Sequence, residues 1–288
     1  MTAGAALTAV VLAGCGAAMA PQQPIPLASA WHPGLFVDGY GPAGLGPSPT
    51  ASASASTSAS ATTSGGAAAT GSPTPAASDS TLEDPTQRTL ATVLLQPADV
   101  PSGLTVALDD QGTSLAQPSL TYCSGSYTSE SGREARRRSV VESTTGARTG
   151  IVTEAVLYTT VGAADAALAE LRTVSGACPS PRTVTSGTTK LTFTVVPSSD
   201  VDVSGYVPDA DRLLVSTTVD DGTGTPYRVT RLWQQRGRVL VGLYYSGETI
   251  AAGSTATFTS TDLSNVKLLG STLAERLDAL DPAVVGTA

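Results

Sequence analysis

The chain has 288 residues, of which 41% are hydrophobic, 14% charged and 5% aromatic, and its formal net charge is -8. Lys and Arg number 16 against 24 Asp and Glu, so no basic stripe of the size that nucleic-acid binding needs is present, and a nucleic-acid partner is excluded. The single histidine, His32, precedes the folded part, which excludes a Ser-His-Asp triad or a His-rich zinc site.

The first 14 residues, MTAGAALTAVVLAG, form a short apolar run ending at Cys15. The run is too short to cross a bilayer as a helix and suits the hydrophobic region of a signal peptide. Leu12-Ala13-Gly14-Cys15 resembles the lipobox of bacterial lipoproteins, in which the cysteine thiol is lipidated and a peptidase cuts before it. The acyl chains, palmitate among them, would then hold the protein on the membrane, each buried methylene contributing about 0.8 kcal/mol. MTAG carries no basic residue, and none occurs before Arg88, so an upstream start codon would have to supply the usual positive charge. The alternative is cleavage at Ala18-Met19-Ala20 and release as a soluble secreted protein.

Residues 15–80 contain PQQPIP, GPAGLGPSP, ASASASTSASATTSGG and SPTPAAS. This composition lacks hydrophobic periodicity and cannot bury enough surface to offset its chain entropy, so it predicts a disordered tether. Trp31 to Tyr40 is an aromatic-rich interruption, read as a local turn or as a segment that docks on the domain or a partner.

The folded domain is expected over 81–288. Asp84 and Pro85 mark a helix start, with Leu90, Val93 and Leu94 on one side. Apolar runs at 138–143, 151–160, 190–196, 212–219, 227–235 and 238–245 read as strands. Ala164, Leu168, Leu171 and Val174 recur at helical spacing, and Leu263, Val266, Gly270, Leu273, Leu277 and Leu280 form a second stripe ending at Pro282. Turn signals at Asp220-Asp221-Gly222 and Arg236-Gly237 make the strands antiparallel. The fold class is therefore α+β: an antiparallel sheet of about five to six strands with three helices packed mainly on one face. Cys123 and Cys178 are the cysteines left in this domain, and in an oxidising compartment they form one disulfide, contributing about 4 kcal/mol on the chain-entropy model.

Few residues suggest chemistry. Ser264-Asn265-Val266-Lys267 matches an S-x-x-K motif without its K-T-G or S-D-N companions. Glu142, Glu154 and Glu248 are carboxylates whose separation decides whether any two could serve as a glycosidase pair. Arg133, Arg136, Arg137 and Arg138 form the basic cluster of an acidic chain; it suits a phosphate-bearing ligand, but a solvated strand end that protects an edge is the commoner role.

A two-residue turn at Arg236-Gly237 would pair Trp233 with Leu240, Arg231 with Gly242 and Val229 with Tyr244. Thr230, Leu232, Val241 and Leu243 then lie under the helices. Tyr227, Arg231, Trp233 and Tyr244 share the other face beside the space left by Gly242, either as a wet binding groove or as core under another segment.

Leu94-Leu95-Gln96-Pro97-Ala98-Asp99-Val100-Pro101-Ser102-Gly103, the segment from Tyr158 to Cys178, the strand at Arg236-Gly237-Arg238-Val239-Leu240 and the closing helix resemble the PknH-like extracellular sensor domain of mycobacterial serine/threonine kinases and of actinobacterial lipoproteins. A preference for Arg over Lys, with abundant Ala, Gly and Thr, fits that source. The resemblance spans roughly 82–281 and implies a groove for an unidentified envelope ligand, with no catalytic residues, cofactor or metal to carry over. Such domains often carry a second disulfide, for which this chain lacks the cysteines. The reading is a non-catalytic extracytoplasmic ligand-binding or sensor lipoprotein of the cell envelope, whose partner is a small envelope ligand or an envelope protein. The alternatives are a cell-envelope hydrolase and a protein-protein interaction module.

Overall fold

The computed structural model describes residues 84–144, 148–186, 189–196, 201–220, 222, 226–249 and 260–286. The signal peptide, Cys15, the tether and the Trp31–Tyr40 stretch lie outside these residues.

Helix α1 (Pro85–Val93) starts where Asp84 accepts the Thr86 N–H at 2.8 Å and Pro85 occupies the first turn, and it buries Gln87, Leu90 and Val93. Strand β1 (Leu104–Leu108) follows, then a long connection to β2 (Arg133–Ser143) and β3 (Arg148–Tyr158). Helix α2 (Val161–Ala177) is capped by the Thr160 hydroxyl, which accepts the Ala163 N–H at 3.1 Å. Strands β4 (Arg182–Ser186), β5 (Thr189–Val196), β6 (Arg212–Asp220), β7 (Tyr227–Arg236) and β8 (Val239–Thr249) precede α3 (Ser260–Asp278) and the single turn α4 (Pro282–Val285).

The eight strands form one antiparallel sheet in the order β1-β2-β3-β8-β7-β6-β5-β4, so the expectation of five to six strands undercounts. The missed strands, β1 and β4, are the two edges, five residues each. Both are too short for alternation to register. The helices also divide between the faces rather than sharing one. Leu90 and Val93 of α1, Val266, Leu269, Leu273 and Leu277 of α3 and Val285 of α4 pack on Leu232, Val241, Leu243 and Tyr245. On the opposite face Ala164, Ala167, Leu168 and Leu171 of α2 pack with Val156, Val215, Trp233 and Tyr244. An amphipathic stripe says that a helix has a buried side; it does not say which face of the sheet receives it.

The β7–β8 turn is formed by Gly237 and Arg238, because Arg236 pairs with Val239. Trp233 therefore faces Gly242 and Arg231 faces Tyr244, two positions from the expected partners. A slip of two leaves each side chain on its expected face. The turn also receives the C-terminus. Arg238 N–H donates to Val285 O at 2.8 Å, and Arg236 Nη1 donates to the carbonyls of Leu277, Asp278 and Leu280 at 3.0, 2.6 and 2.9 Å, where the α3 dipole is negative.

Gly237 has φ +54°, and a Cβ there would lie 2.0 Å from Val285 O. Gly222 has φ +79° with open space around it. Gly237→Ala should therefore destabilise the domain by about 2–3 kcal/mol, against about 1 kcal/mol for Gly222→Ala. Thermal unfolding of the two variants checks this, and equal losses would show that α4 docking does not depend on the turn.

Candidate functional site

The connection between β1 and β2, residues 109–132, crosses the α2 face as a roof. It contains short 3-10 turns at Tyr122–Ser124 and Thr128–Gly132 and otherwise no regular structure. Irregular connections longer than about 12–15 residues are uncommon in compact domains and are often lids or binding loops. Arginines of β2 hold its first half. Arg136 Nη1 donates to Gln111 O at 3.1 Å and Ser114 O at 3.4 Å; Arg133 donates to Leu115 O, Gln117 O and Ser119 Oγ at 2.8, 2.7 and 3.0 Å. Arg138 pairs with Asp109 at 3.2 Å. The Glu130 carboxylate accepts the Ser119 and Leu120 N–H groups, both at 2.9 Å, and pairs with Arg133.

The second half of the roof is fastened to α2. Cys123 and Cys178 form a disulfide with a Cα–Cα distance of 6.0 Å. Glu170 accepts hydrogen bonds from the backbone and hydroxyl groups of Thr128 and Ser129. At Gly125 a Cβ would come 2.7 Å from the Val174 side chain, so the chain passes too close to α2 for any other residue.

A string of buried polar atoms runs beneath this roof. Arg136 Nε donates to Glu154 Oε1 at 2.5 Å, with both side chains 2% exposed. Tyr244 Oη donates to Glu154 Oε2 at 3.4 Å and accepts from Trp233 Nε1 at 3.3 Å. The space left by Gly242 is filled by the Tyr244 ring, whose Oη would stand 3.1 Å from an added Cβ. Glu154, Tyr244, Trp233, Gly242, Val156, Leu240, Ser119 and Leu120 line a cavity of ≈ 10 Å³, about the room one water needs. It is far smaller than the roughly 300–1,000 Å³ of an organic-ligand pocket.

Burial raises the Glu130 carboxyl above its ordinary range, outweighing the Ser119 and Leu120 N–H groups and Arg133, which lower it. Glu170 goes the other way. Burial would raise it, but its hydrogen bonds from Ser129 and Thr128 together hold it below the usual carboxylate range. The Tyr158 phenol is pushed strongly upward by burial and by the nearby Glu130 and Glu154 carboxylates, and its Oη is buried without a hydrogen-bond partner.

The candidate residues Tyr227, Arg231, Trp233 and Tyr244 lie on the face that alternation assigns them, but the face is roofed. Their exposures are 2%, 4%, 2% and 2%. The Tyr122 ring of the roof sits edge-on to Trp233, with centroids 6.0 Å apart, and the Arg231 guanidinium lies 5.3 Å above the Tyr122 ring centre. Tyr227 belongs to a separate cluster with Leu191, Phe193, Val219 and Val229. Trp233 and Tyr244 are thus together, and Tyr227 is apart from them.

The arginine run is not a solvated strand end. Arg136, Arg137 and Arg138 are 2%, 8% and 7% exposed in the middle of β2. The acceptors of Arg136 and Arg138 arrive from β3 and from the roof, which local sequence does not reveal. Glu142 stands four residues along β2 from Arg138, the cross-strand neighbour of Glu154, hence about 13 Å from that pairing and too far for a glycosidase pair. The Glu248 side chain lies outside the described residues. Ser264 is exposed and Lys267 pairs with Asp202 at the surface, so the S-x-x-K spacing assembles no buried nucleophile and base. Among the described residues no group of three or more His, Cys, Asp or Glu could hold a metal, and no helix is long and apolar enough to cross a membrane. Sequence reasoning missed the roof, Glu130 and Glu170; the one signal of it was the long stretch between the first helix and the strand read at 138–143, to which no element was assigned.

No family model matches the chain and no curated protein is similar to it. Among solved structures it is similar to the crystal structure of the extracellular domain of PknH from Mycobacterium tuberculosis, at 16% identity and a TM-score of 0.40, covering 67% of this chain and 94% of that one. The functional reading accordingly rests on the site itself.

Trp233 touches Tyr122 and Tyr244 under the roof, so Trp233→Ala should cost about 3–5 kcal/mol of stability. Chemical denaturation measures it. A loss below about 1 kcal/mol would mark the ring as dispensable surface.

Proposed function

We propose that the chain is a non-catalytic extracytoplasmic ligand-binding or sensor module of the cell envelope. In this reading Cys15 is the lipid anchor, residues 15–80 give reach from the membrane, and a small envelope ligand binds between the sheet and the β1–β2 roof. The observation that carries it is the polar string Arg136–Glu154–Tyr244–Trp233 with a cavity at its middle. Burying an ion pair costs more than an apolar core of the same volume would, so its presence beneath an irregular connection supports recognition over packing. The Cys123–Cys178 bond supports an oxidising compartment.

A ligand entering here displaces the roof from Tyr244 and Trp233 and meets a carboxylate, a phenol, an indole N–H and two guanidinium groups within one patch. That set suits a compact polar molecule with a ring, since rings stack on Trp and Tyr while hydroxyl or anionic groups take the charged partners.

The test is native mass spectrometry of the full chain extracted gently from its own envelope, with and without Tyr244→Phe and Cys15→Ala. A non-covalent adduct is expected, with occupancy falling about fivefold in Tyr244→Phe, as loss of one hydrogen bond implies. Cys15→Ala should leave the membrane fraction and lose the acyl mass. An unliganded chain, or a Cys15→Ala chain still membrane-bound after a salt wash, would contradict the corresponding half of the reading.

A further inference from the structure

We propose that the Cys123–Cys178 disulfide is a redox latch on the roof: oxidised, it holds the second half of the roof, residues 121–132, closed over Trp233 and Tyr244, and its reduction by a dithiol opens that half. This inference rests on the reading that the ligand site lies beneath the roof, and adds how access to it is regulated.

The latch joins two elements that no strand pairing joins. Cys123 is on the roof, and Cys178 directly follows the C-terminus of α2. The residue next to the latch is the plug. Tyr122 is 3% exposed, with its ring against Trp233 on one side and the Arg231 guanidinium over it. Freeing Cys123 therefore frees the ring that seals Trp233.

The chain at the latch is also held in a conformation it would not choose. Cys123 and Ser124 have φ of +55° and +53° in succession, and neither is glycine. Left-handed backbone at two adjacent L residues persists only where the surroundings impose it. The roof beyond residue 120 is tied to α2 by the disulfide and by the Glu170 clasp on Thr128 and Ser129. The arginine clamps of β2 on the part before that point, and the Arg133–Glu130 pair at its far end, remain after reduction. Opening can thus be local.

A reductant can reach the bond. Both cysteines are half-buried, and Ser124, Ala177 and Pro179 beside them are exposed. A thiolate of the dithiol attacks one sulfur, giving a mixed disulfide and releasing the other cysteine. The second thiol of the reductant then displaces the first cysteine. Two electrons and two protons pass to Cys123 and Cys178, which end as thiols, and the dithiol ends as its own disulfide.

The experiment uses the full chain carrying Trp31→Phe, which leaves Trp233 as its one tryptophan. Acrylamide quenching of Trp233 and far-UV circular dichroism are recorded before and after dithiothreitol treatment and alkylation of the freed thiols. Reduction should raise the quenching constant about fivefold or more while the strand signal persists, as local opening requires. Glu170→Gln in the oxidised state should leave it unchanged, because the latch still holds. Shielding that survives complete reduction, strand signal lost together with shielding, or equal exposure in oxidised Glu170→Gln overturns the latch. The readout needs no ligand, so the two ideas fail separately. A chain that opens on reduction yet never carries an adduct keeps the latch and loses the site; one that carries an adduct with Trp233 still shielded after reduction loses only the latch.

Discussion

Three consecutive arginines in the middle of a β-strand set the constraint from which the α2 face follows. A guanidinium keeps its charge under all conditions a protein meets, so Arg136 and Arg138, at 2% and 7% exposure, can be desolvated only against carboxylates and carbonyls. Strand alternation sends these two to one face and Arg137 to the other. On that first face Glu154 of β3 supplies one carboxylate and Asp109, at the start of the β1–β2 connection, the other. Further acceptors are the backbone carbonyls of Gln111 and Ser114. The connection therefore has to cross the sheet, and in crossing it brings Leu120, Tyr122 and Tyr127 down onto Val156, Trp233 and Tyr244.

The two faces consequently do different work. On the α1 and α3 side, leucines and valines from both helices meet Leu232, Val239, Val241 and Leu243, and burial of that area is the main source of stability. On the α2 side, apolar residues share the space with the Arg136–Glu154 and Arg138–Asp109 pairs, tyrosine hydroxyls and an indole N–H. Such a layer stabilises less than an apolar one of equal volume, and beside α2 its cover is one connection fastened at identifiable points. Local opening free energies in proteins are lowest where regular structure and apolar contacts are fewest, which here is the roof rather than the sheet.

Much of this architecture was legible in the sequence. The helix start at Asp84, the helical spacing from Ala164 to Val174, the stripe from Leu263 to Leu280 and the long strands follow from capping chemistry and periodicity, and Cys123 and Cys178 had no other partner in the domain. The faces of β7 and β8 were also correct, because the turn at Gly237-Arg238 differs from the expected Arg236-Gly237 by an even shift in pairing. What was illegible depended on distant partners. Arg136 reads as surface until Glu154, 18 residues away, is placed beside it. Whether the Trp233 face is a groove or core is undecided in the sequence until a connection without hydrophobic periodicity is laid over it. The side of the sheet taken by α2 is likewise decided by crossover geometry, which composition does not encode.

The central claim is that the buried Arg136–Glu154 pair organises both the sheet face and its roof, and a double-mutant cycle with Arg136→Met and Glu154→Leu, followed by amide hydrogen exchange, tests it most directly. Each single replacement leaves one buried charge without its partner and should cost about 3–5 kcal/mol, whereas the double replacement should recover much of that loss. In both Arg136→Met chains the amides of residues 109–120 should lose protection while β3, β7 and β8 keep theirs. Single losses below about 1 kcal/mol, with the roof as protected as before, would show that the pair is incidental and that the roof is held by packing alone.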